Sequence, residues 1–299
     1  MQKYIVLEKK VGETPLSCAE KWRATASPAF KDVPLTYAGR LDPMASGKLL
    51  VLIGEECKNQ EQYHGLDKEY EFSVLLGITS DTHDVLGRLS VTPQKTDVPV
   101  PTEVVRLGLA ARSATEGGTG TSVFTKENLT MLTRNLVGQI SLPYPLFSSK
   151  TVKGKPLHTW TLEGRLDEIE IPTNESTIYE LELIKIEAKH RTDVAREARD
   201  KIDTIPPVTD LRKALGNDFR RVDVRKDWAE IASGNFGPAP LPDTYTIAHF
   251  RCVASSGTYM RSLAHLIGQK LGACGLAWHI HRTVIGTYNQ TNKDWSHTF

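Results

Sequence analysis

Apolar and polar residues alternate along several segments of this chain, and the alternation predicts β-strands. Successive side chains of a strand point to opposite faces of a sheet, so alternation indicates a strand with one buried face. The pattern is strictest over residues 177–188, and it predicts a half-buried strand over 70–76. The unbroken apolar run over 49–53 indicates a strand buried on both faces. Further strands are predicted over 4–7, 244–254 and 278–288.

Helices are predicted where apolar residues recur every three to four positions between capping signals. Pro15 suits the first turn of a helix over residues 15–25, and Thr14 precedes it as the N-cap. Similar patterns predict helices over 102–112, 126–136 and 258–271, whereas the composition of 113–122 predicts a flexible loop. Strands mixed with helices, without regular βαβ alternation, predict an α+β fold around a mixed, largely antiparallel sheet flanked by helices.

A highly charged segment over residues 190–242 separates two of the predicted long strands. It is crowded with Arg, Lys and Asp, and patches between 208 and 232 are compatible with helix. We interpret it as an insert between two neighbouring strands, within a single domain over 1–299.

Bulk composition narrows the class of protein. The chain has 299 residues and a formal net charge of +1, so overall charge gives no signal for a polyanion-binding protein. Its four cysteines show no CxxC pair and no zinc-ligand spacing, which favours free thiols and no metal site. No signal peptide or membrane-spanning run is evident, so we expect a cytoplasmic protein. No dinucleotide or P-loop motif occurs, and we expect no cofactor.

One carboxylate lies in a turn built to hold it still. Asp42 is followed by Pro43 and flanked by Gly39 and Gly47, directly before the apolar strand over 49–53. Proline fixes its own φ and restricts the residue before it, while glycine permits backbone shapes that other residues avoid. An isolated Asp-Pro turn is usually structural, but a rigid loop at the end of a buried strand can also present a catalytic group.

The residues around this turn resemble the TruB family of pseudouridine synthases. GRLDPMASG at 39–47, followed by GEECK at 54–58, is similar to the catalytic motif of that family. Further resemblance follows in the family's order: EKKVGETPLS at 8–17, KEY at 68–70 with LGITSDTHDVLG at 76–87, PLFSSKTVKGK at 145–155, SGTYMRSL at 256–263 and HRTVIG at 281–286. The resemblance implies the pseudouridine synthase fold, with a thumb-like segment at 145–155.

The same resemblance implies roles for individual residues. Asp42 matches the catalytic carboxylate, which either attacks the sugar at C1′ or helps remove the proton at C2′. Arg261 matches the arginine that pairs with it, and Tyr70 matches the active-site tyrosine. Tyr259 and Ile280 match residues beside the flipped base.

The resemblance also implies an RNA partner, the T-arm of tRNA, with uridine 55 as the target. Four residues are candidates for contacting it: Tyr37, Arg40, Lys150 and Lys153. Tyr37 stands where bacterial members usually have a histidine. We expect a monomer that needs no protein partner and has no membrane association.

One expected feature departs from the family pattern. We expect no C-terminal PUA-type domain, and we hypothesise that the charged insert at 190–242 replaces some of that RNA-binding surface. Two alternatives to a tRNA synthase remain open: an RNA-folding chaperone on the same scaffold, or a pseudouridine synthase acting on another RNA.

Overall fold

The computed structural model describes residues 2–91, 124–206 and 217–299, with side chains of the last range from residue 222 onward. Its strands are β1 (Tyr4–Lys9), β2 (Leu35–Ala38), β3 (Ser46–Ile53), β4 (Asp67–Leu76), β5 (Thr79–Ser80), β6 (Leu89–Ser90), β7 (Gly138–Pro143), β8 (Thr151–Val152), β9 (Lys155–Pro156), β10 (Thr173–His190), β11 (Thr244–Ala254), β12 (Gly275–Asn289) and β13 (Asp294–Thr298). Its α-helices are α1 (Pro15–Thr25), α2 (Gln60–His64), α3 (Lys126–Leu136), α4 (Leu157–Leu162), α5 (Arg191–Thr204), α6 (Asn217–Ser233) and α7 (Met260–Lys270).

A nine-stranded sheet forms the centre of the fold, in the order β1-β3-β12-β4-β11-β10-β7, with β2 on β3 and β13 on β12. Its pairings are antiparallel except for the short parallel contact between β12 and β3. The α+β class and the largely antiparallel sheet are therefore confirmed. The predicted helix over 102–112 and the loop over 113–122 lie outside the described residues.

Several predicted elements occur where the pattern placed them. Helix α1 begins at Pro15, and the Thr14 hydroxyl accepts a hydrogen bond from the Ser17 N–H as an N-cap. Helix α3 and strand β11 match their predicted bounds. Strand β4, predicted to be half-buried, is instead covered on both sides over most of its length. Val74 and Leu75 point to opposite faces and both are 0% exposed, because the core packs against both sides of this central strand.

The charged segment connects two neighbouring antiparallel strands, β10 and β11. Its described part contains α5 and α6, which we call the insert hairpin. Although both helices are rich in charge, each contributes buried apolar residues to the core, including Val194 and Ala198 from α5 and Trp228 and Ile231 from α6.

The parallel contact between β3 and β12 fixes the end of the Asp42 turn. Gly47 pairs with Arg282 and has φ +105°, and a Cβ built on it would lie 2.3 Å from the Arg282 carbonyl oxygen and 2.5 Å from its nitrogen. Only glycine allows the two backbones to approach this closely.

Replacing Gly47 therefore tests this close approach. We expect Gly47→Ala to lower the free energy of unfolding by about 4 kcal/mol, because backbone strain and a backbone clash add together. Gly138→Ala is the matched control, since Gly138 has φ +120° and open space around its Cβ position, and strain alone should cost it about 1–3 kcal/mol. Urea unfolding measures both, and equal losses would contradict the clash.

Candidate active site

The Asp42 turn is held to the rest of the protein through its backbone. The Ala45 N–H donates to the Asp42 carbonyl across the turn at 3.0 Å, and the Gly12 N–H donates to the Pro43 carbonyl at 2.9 Å. The fully buried Lys9 ammonium donates to the carbonyls of Ala45 and Lys10. Burial lowers the pKa of Lys9 to about 8, with nearby Glu13 and Asp42 opposing the shift.

A buried arginine donates hydrogen bonds to both oxygens of the Asp42 carboxylate. Arg261 lies in the first turn of α7, and its Nε and Nη2 donate to Asp42 Oδ2 at 2.7 Å and Oδ1 at 3.3 Å. Its third nitrogen, Nη1, donates to the Thr82 carbonyl at 2.9 Å. The Arg261 side chain is 5% exposed and that of Asp42 is 38% exposed. The carboxylate is therefore oriented by a two-point contact while it still faces open space.

A second carboxylate contacts the same arginine. Asp84 Oδ2 lies 3.7 Å from Arg261 Nε, and Asp84 is 3% exposed. Its Oδ1 accepts hydrogen bonds from Thr82 Oγ1 at 2.6 Å and from the Leu86 N–H at 2.9 Å. Burial raises the pKa of Asp84, and the Arg261 charge opposes that rise. Asp84 is not among the predicted site residues, although it lies inside the family-like segment 76–87.

Arg282 is a second buried arginine that the sequence analysis did not single out. It is 1% exposed, and its guanidinium donates to the Lys48 carbonyl at 2.7 Å and to the Gly39 carbonyl at 3.2 Å. These contacts join strand β12 to both sides of the Asp42 turn. Arg282 belongs to the HRTVIG motif at 281–286, which the sequence analysis identified as family-like, but the motif does not reveal that this side chain points into the protein.

Asp42 lies at a cavity of about 530 Å³. That volume is within the range of about 300–1,000 Å³ typical of small-molecule pockets. Seven of the predicted site residues line it: Tyr37, Arg40, Asp42, Tyr70, Tyr259, Arg261 and Ile280. Lys68, Arg282 and His158 also line it and were not predicted.

Two tyrosines form part of the cavity wall. Tyr70 comes from β4 and is 8% exposed; burial raises its pKa, and the adjacent Arg282 charge opposes the rise. Tyr259 caps the start of α7, and its ring meets the edge of Tyr144 at a centroid distance of 5.7 Å. Burial also raises the pKa of Tyr259. Both phenols are therefore protonated at neutral pH.

The predicted RNA-contacting residues divide into two groups. Arg40 lies at the cavity and donates from Nη1 to Ser149 Oγ at 2.7 Å, which joins the Asp42 turn to the thumb-like segment. Lys150 lies over the Tyr144 ring at 4.8 Å, and Lys153 donates to the Glu168 carbonyl at 2.8 Å. The two lysines are exposed and do not line the cavity.

Among the residues that the structure describes, there is neither a cluster of metal ligands nor a membrane-spanning helix. Within residues 2–91, 124–206 and 217–299, no group of three or more His, Cys, Asp or Glu residues is arranged to hold a metal ion. Over the same ranges, no helix has the length and apolar character needed to cross a membrane.

Comparison with known proteins identifies the family of the chain. The profile of the TruB family pseudouridylate synthase (N terminal domain) matches residues 30–107 and 102–201. The chain is 28% identical over 232 residues to tRNA pseudouridine synthase B of Caldicellulosiruptor saccharolyticus, covering 73% of this chain and 69% of that protein. It is 33% identical over 154 residues to tRNA pseudouridine synthase B of Caldanaerobacter subterraneus subsp. tengcongensis, covering 52% of this chain and 44% of that protein.

A solved structure is also similar. In the crystal structure of a Cbf5-Nop10-Gar1 complex, one chain matches 95% of this chain and 49% of its own length, with a TM-score of 0.48 and 15% sequence identity. The family profile covers more than half of the chain, so this protein belongs to the TruB family of pseudouridylate synthases.

Replacing Arg261 tests the two-carboxylate contact. We expect Arg261→Gln to lower the free energy of unfolding by about 3–5 kcal/mol at pH 8, because buried Asp84 loses its countercharge. The variant should raise the pKa of Asp84 further, so the folded state gains more from protonation. The deficit relative to wild type should therefore shrink as the pH falls from 8 to 5. Urea unfolding at both pH values measures it.

Arg251→Gln is the matched control for this experiment. Arg251 also contacts two carboxylates, Glu69 and Glu180, but its side chain is 32% exposed. We expect it to lose about 1 kcal/mol or less, since water screens the charges that remain. A deficit of Arg261→Gln that stays constant with pH would contradict the role assigned to buried Asp84.

Proposed function

We propose that this protein isomerises uridine to pseudouridine in tRNA, at position 55 in the T-arm. The observation that carries the proposal is the Asp42 carboxylate, oriented by buried Arg261 at a cavity lined by Tyr70, Tyr259 and Ile280. Membership of the TruB family and the names of the relatives support the reaction and the RNA. These relatives are similar over part of their length, so the substrate is part of the proposal.

The reaction exchanges one glycosidic bond for another. The N1–C1′ bond breaks, the uracil rotates, and a C5–C1′ bond forms; C5 loses its hydrogen and N1 gains one. Asp42 either attacks C1′ or assists removal of the C2′ proton, and both roles need an ionised carboxylate in a fixed position. The two hydrogen bonds from Arg261 fix the orientation of this carboxylate.

The remaining cavity residues hold the base and serve the proton transfer. Tyr70 presents a protonated phenol close to Asp42, suited to moving a proton at the base. Tyr259 and Ile280 provide aromatic and apolar surface for a uracil that has left its stack. The proposed reaction is redox-neutral and needs no cofactor.

RNA binding requires that the target uridine leave the folded T-arm. Extruding a base costs a few kcal/mol, which contacts elsewhere on the RNA must supply. Tyr37 and Arg40 at the cavity mouth, with Lys150 and Lys153 on the thumb-like segment, are our candidates for those contacts. We further propose that the protein works in the cytoplasm as a monomer without a protein partner.

Tritium release tests the reaction and the carboxylate together. With tRNA labelled at uracil C5, we expect wild type to release tritium and Asp42→Asn to release none, because C5 loses its hydrogen only when the new bond forms. Asp32→Asn is the control, since Asp32 is exposed and outside the cavity, and it should behave as wild type.

The alternatives predict different results in the same assay. Tight tRNA binding by wild type without tritium release would support the chaperone function instead. Absence of both release and binding would point to another RNA as substrate.

A separate variant tests the Tyr70 hydroxyl. We expect Tyr70→Phe to lower kcat by about 10²–10⁴-fold with unchanged tRNA affinity, since it removes a proton-transfer group and keeps the ring. Tyr245→Phe is the matched control: Tyr245 is 3% exposed, lies outside the cavity, and its hydroxyl has no hydrogen-bond partner among the described residues. Equal kcat values for the two variants would contradict a role for the Tyr70 hydroxyl.

A further inference from the structure

The insert hairpin is tied to the loop that carries Asp84. Asp227 of α6 is 4% exposed, and its carboxylate accepts from Arg88 Nε at 2.7 Å, Arg88 Nη2 at 3.1 Å and the Leu89 N–H at 3.0 Å. One residue further on, Trp228 is fully buried and donates from Nε1 to the Val85 carbonyl at 3.1 Å. Val85 directly follows Asp84, so this contact fixes the backbone beside the second carboxylate of the Arg261 pair.

The same hairpin also contacts the backbone next to the Asp42 turn. The carbonyl of Thr204, at the end of α5, packs against Gly12, where an added Cβ would lie 2.4 Å from that oxygen. Gly12 has φ +87° and donates its N–H to the Pro43 carbonyl at 2.9 Å. Near the same end of α5, Lys201 donates to the Trp278 carbonyl at 2.5 Å and lies 3.7 Å from the centre of the Trp278 ring.

The Asp84 loop has little regular structure of its own. It is bordered by β5 and β6, which have two residues each and pair only with each other. A backbone bridge between Asp84 and Ala277 gives one further attachment, with the Ala277 N–H donating to the His83 carbonyl at 2.9 Å. A pair of two-residue strands is too short to hold a buried carboxylate in register by itself, so the contacts from α6 add a constraint that the loop lacks.

We propose that the insert hairpin positions the two carboxylates that contact Arg261, with Asp227 and Trp228 as positioning residues for the isomerisation. The proposal rests on the proposed function. Trp228 bonds the carbonyl of Val85, the neighbour of Asp84, and Asp227 holds Arg88, whose backbone pairs with Asp81 at the start of the Asp84 loop. Asp84 in turn pairs with Arg261, and Arg261 orients Asp42. These contacts are hydrogen bonds and an ion pair, joined by the backbone of residues 81–89, and Asp227 is not among the residues that line the cavity.

This role differs from the RNA-binding surface that the charge of the insert suggested. A positioning element should change the rate of the chemical step, whereas an RNA-binding surface should change tRNA affinity. The two are separated by measuring the single-turnover rate of tritium release and the tRNA Kd on the same variants.

Asp227→Asn is the principal variant. We expect its single-turnover rate to fall by about 10–100-fold, because small displacements of a reacting group are costly, with the tRNA Kd unchanged. Asp203→Asn is the matched control. Asp203 also accepts from an arginine through both oxygens, but its partner, Arg225, lies within the hairpin and not in the Asp84 loop. It should retain the wild-type rate.

A double variant distinguishes positioning from general destabilisation. In an Asp84→Asn background, Asp227→Asn should change the single-turnover rate by less than about 2-fold, because its effect passes through Asp84. If Asp227→Asn does not fold, Arg88→Gln removes the same pair from a side chain that is 46% exposed and carries the same expectation.

Four results would overturn the proposal. An unchanged rate with weaker tRNA binding would assign the hairpin to RNA binding, and an equal loss in both backgrounds would make Asp227 merely structural. Tritium release by wild type with an unchanged rate for Asp227→Asn would overturn positioning alone. No release by wild type would overturn the proposed function, and the positioning role with it.

Discussion

Arg261 carries a charge that the interior of this protein accepts only because two carboxylates meet it. Its side chain is 5% exposed, and an unpaired guanidinium at that depth would be strongly destabilising. Asp42 supplies a two-point contact, Asp84 supplies a second charge, and the Thr82 carbonyl takes the remaining nitrogen. The contacts that compensate the buried charge of Arg261 also fix the position of the Asp42 carboxylate, which faces the cavity.

The turn that bears Asp42 is held by buried cations acting on its backbone. Lys9 donates a hydrogen bond to the carbonyl of Ala45, and Arg282 donates to those of Gly39 and Lys48. The turn is therefore bonded both before and after Asp42. Burial lowers the pKa of Lys9 and of nearby Lys68 to about 8 in each case. Four cationic side chains line the cavity together with the carboxylate of Asp42, although the net charge of the chain is only +1: Arg40, Lys68, Arg261 and Arg282. A local field of this kind suits an anionic polymer such as RNA.

The insert hairpin connects these local features to the rest of the fold. Its helices are inserted in sequence between two neighbouring strands of the sheet, yet they contact the Asp84 loop through Asp227 and Trp228. Through Thr204 they also contact Gly12, whose N–H donates to the Pro43 carbonyl in the Asp42 turn. The insert hairpin therefore contacts both the Asp84 loop and the backbone that holds the Asp42 turn, and these two loops meet at Arg261. A charged segment can pack against the core because its apolar side chains, such as Trp228, are buried. Its charged side chains pair with one another, as Arg225 does with Asp203.

The sequence by itself determined the strands with clear alternation, the capped helices, the α+β class and the turn that presents Asp42, because those depend on local pattern and backbone chemistry. Its family-like motifs also gave Arg261, Tyr70, Tyr259 and Ile280, which the fold brings to one cavity. Only the tertiary structure decided that Asp84 and Arg282 belong to the same site, that Lys150 and Lys153 lie outside the cavity, and that the charged insert packs against the Asp84 loop. Those features depend on which strands neighbour one another and on which way long polar side chains point. Contacts between residues more than a hundred positions apart leave no periodic signal in the chain.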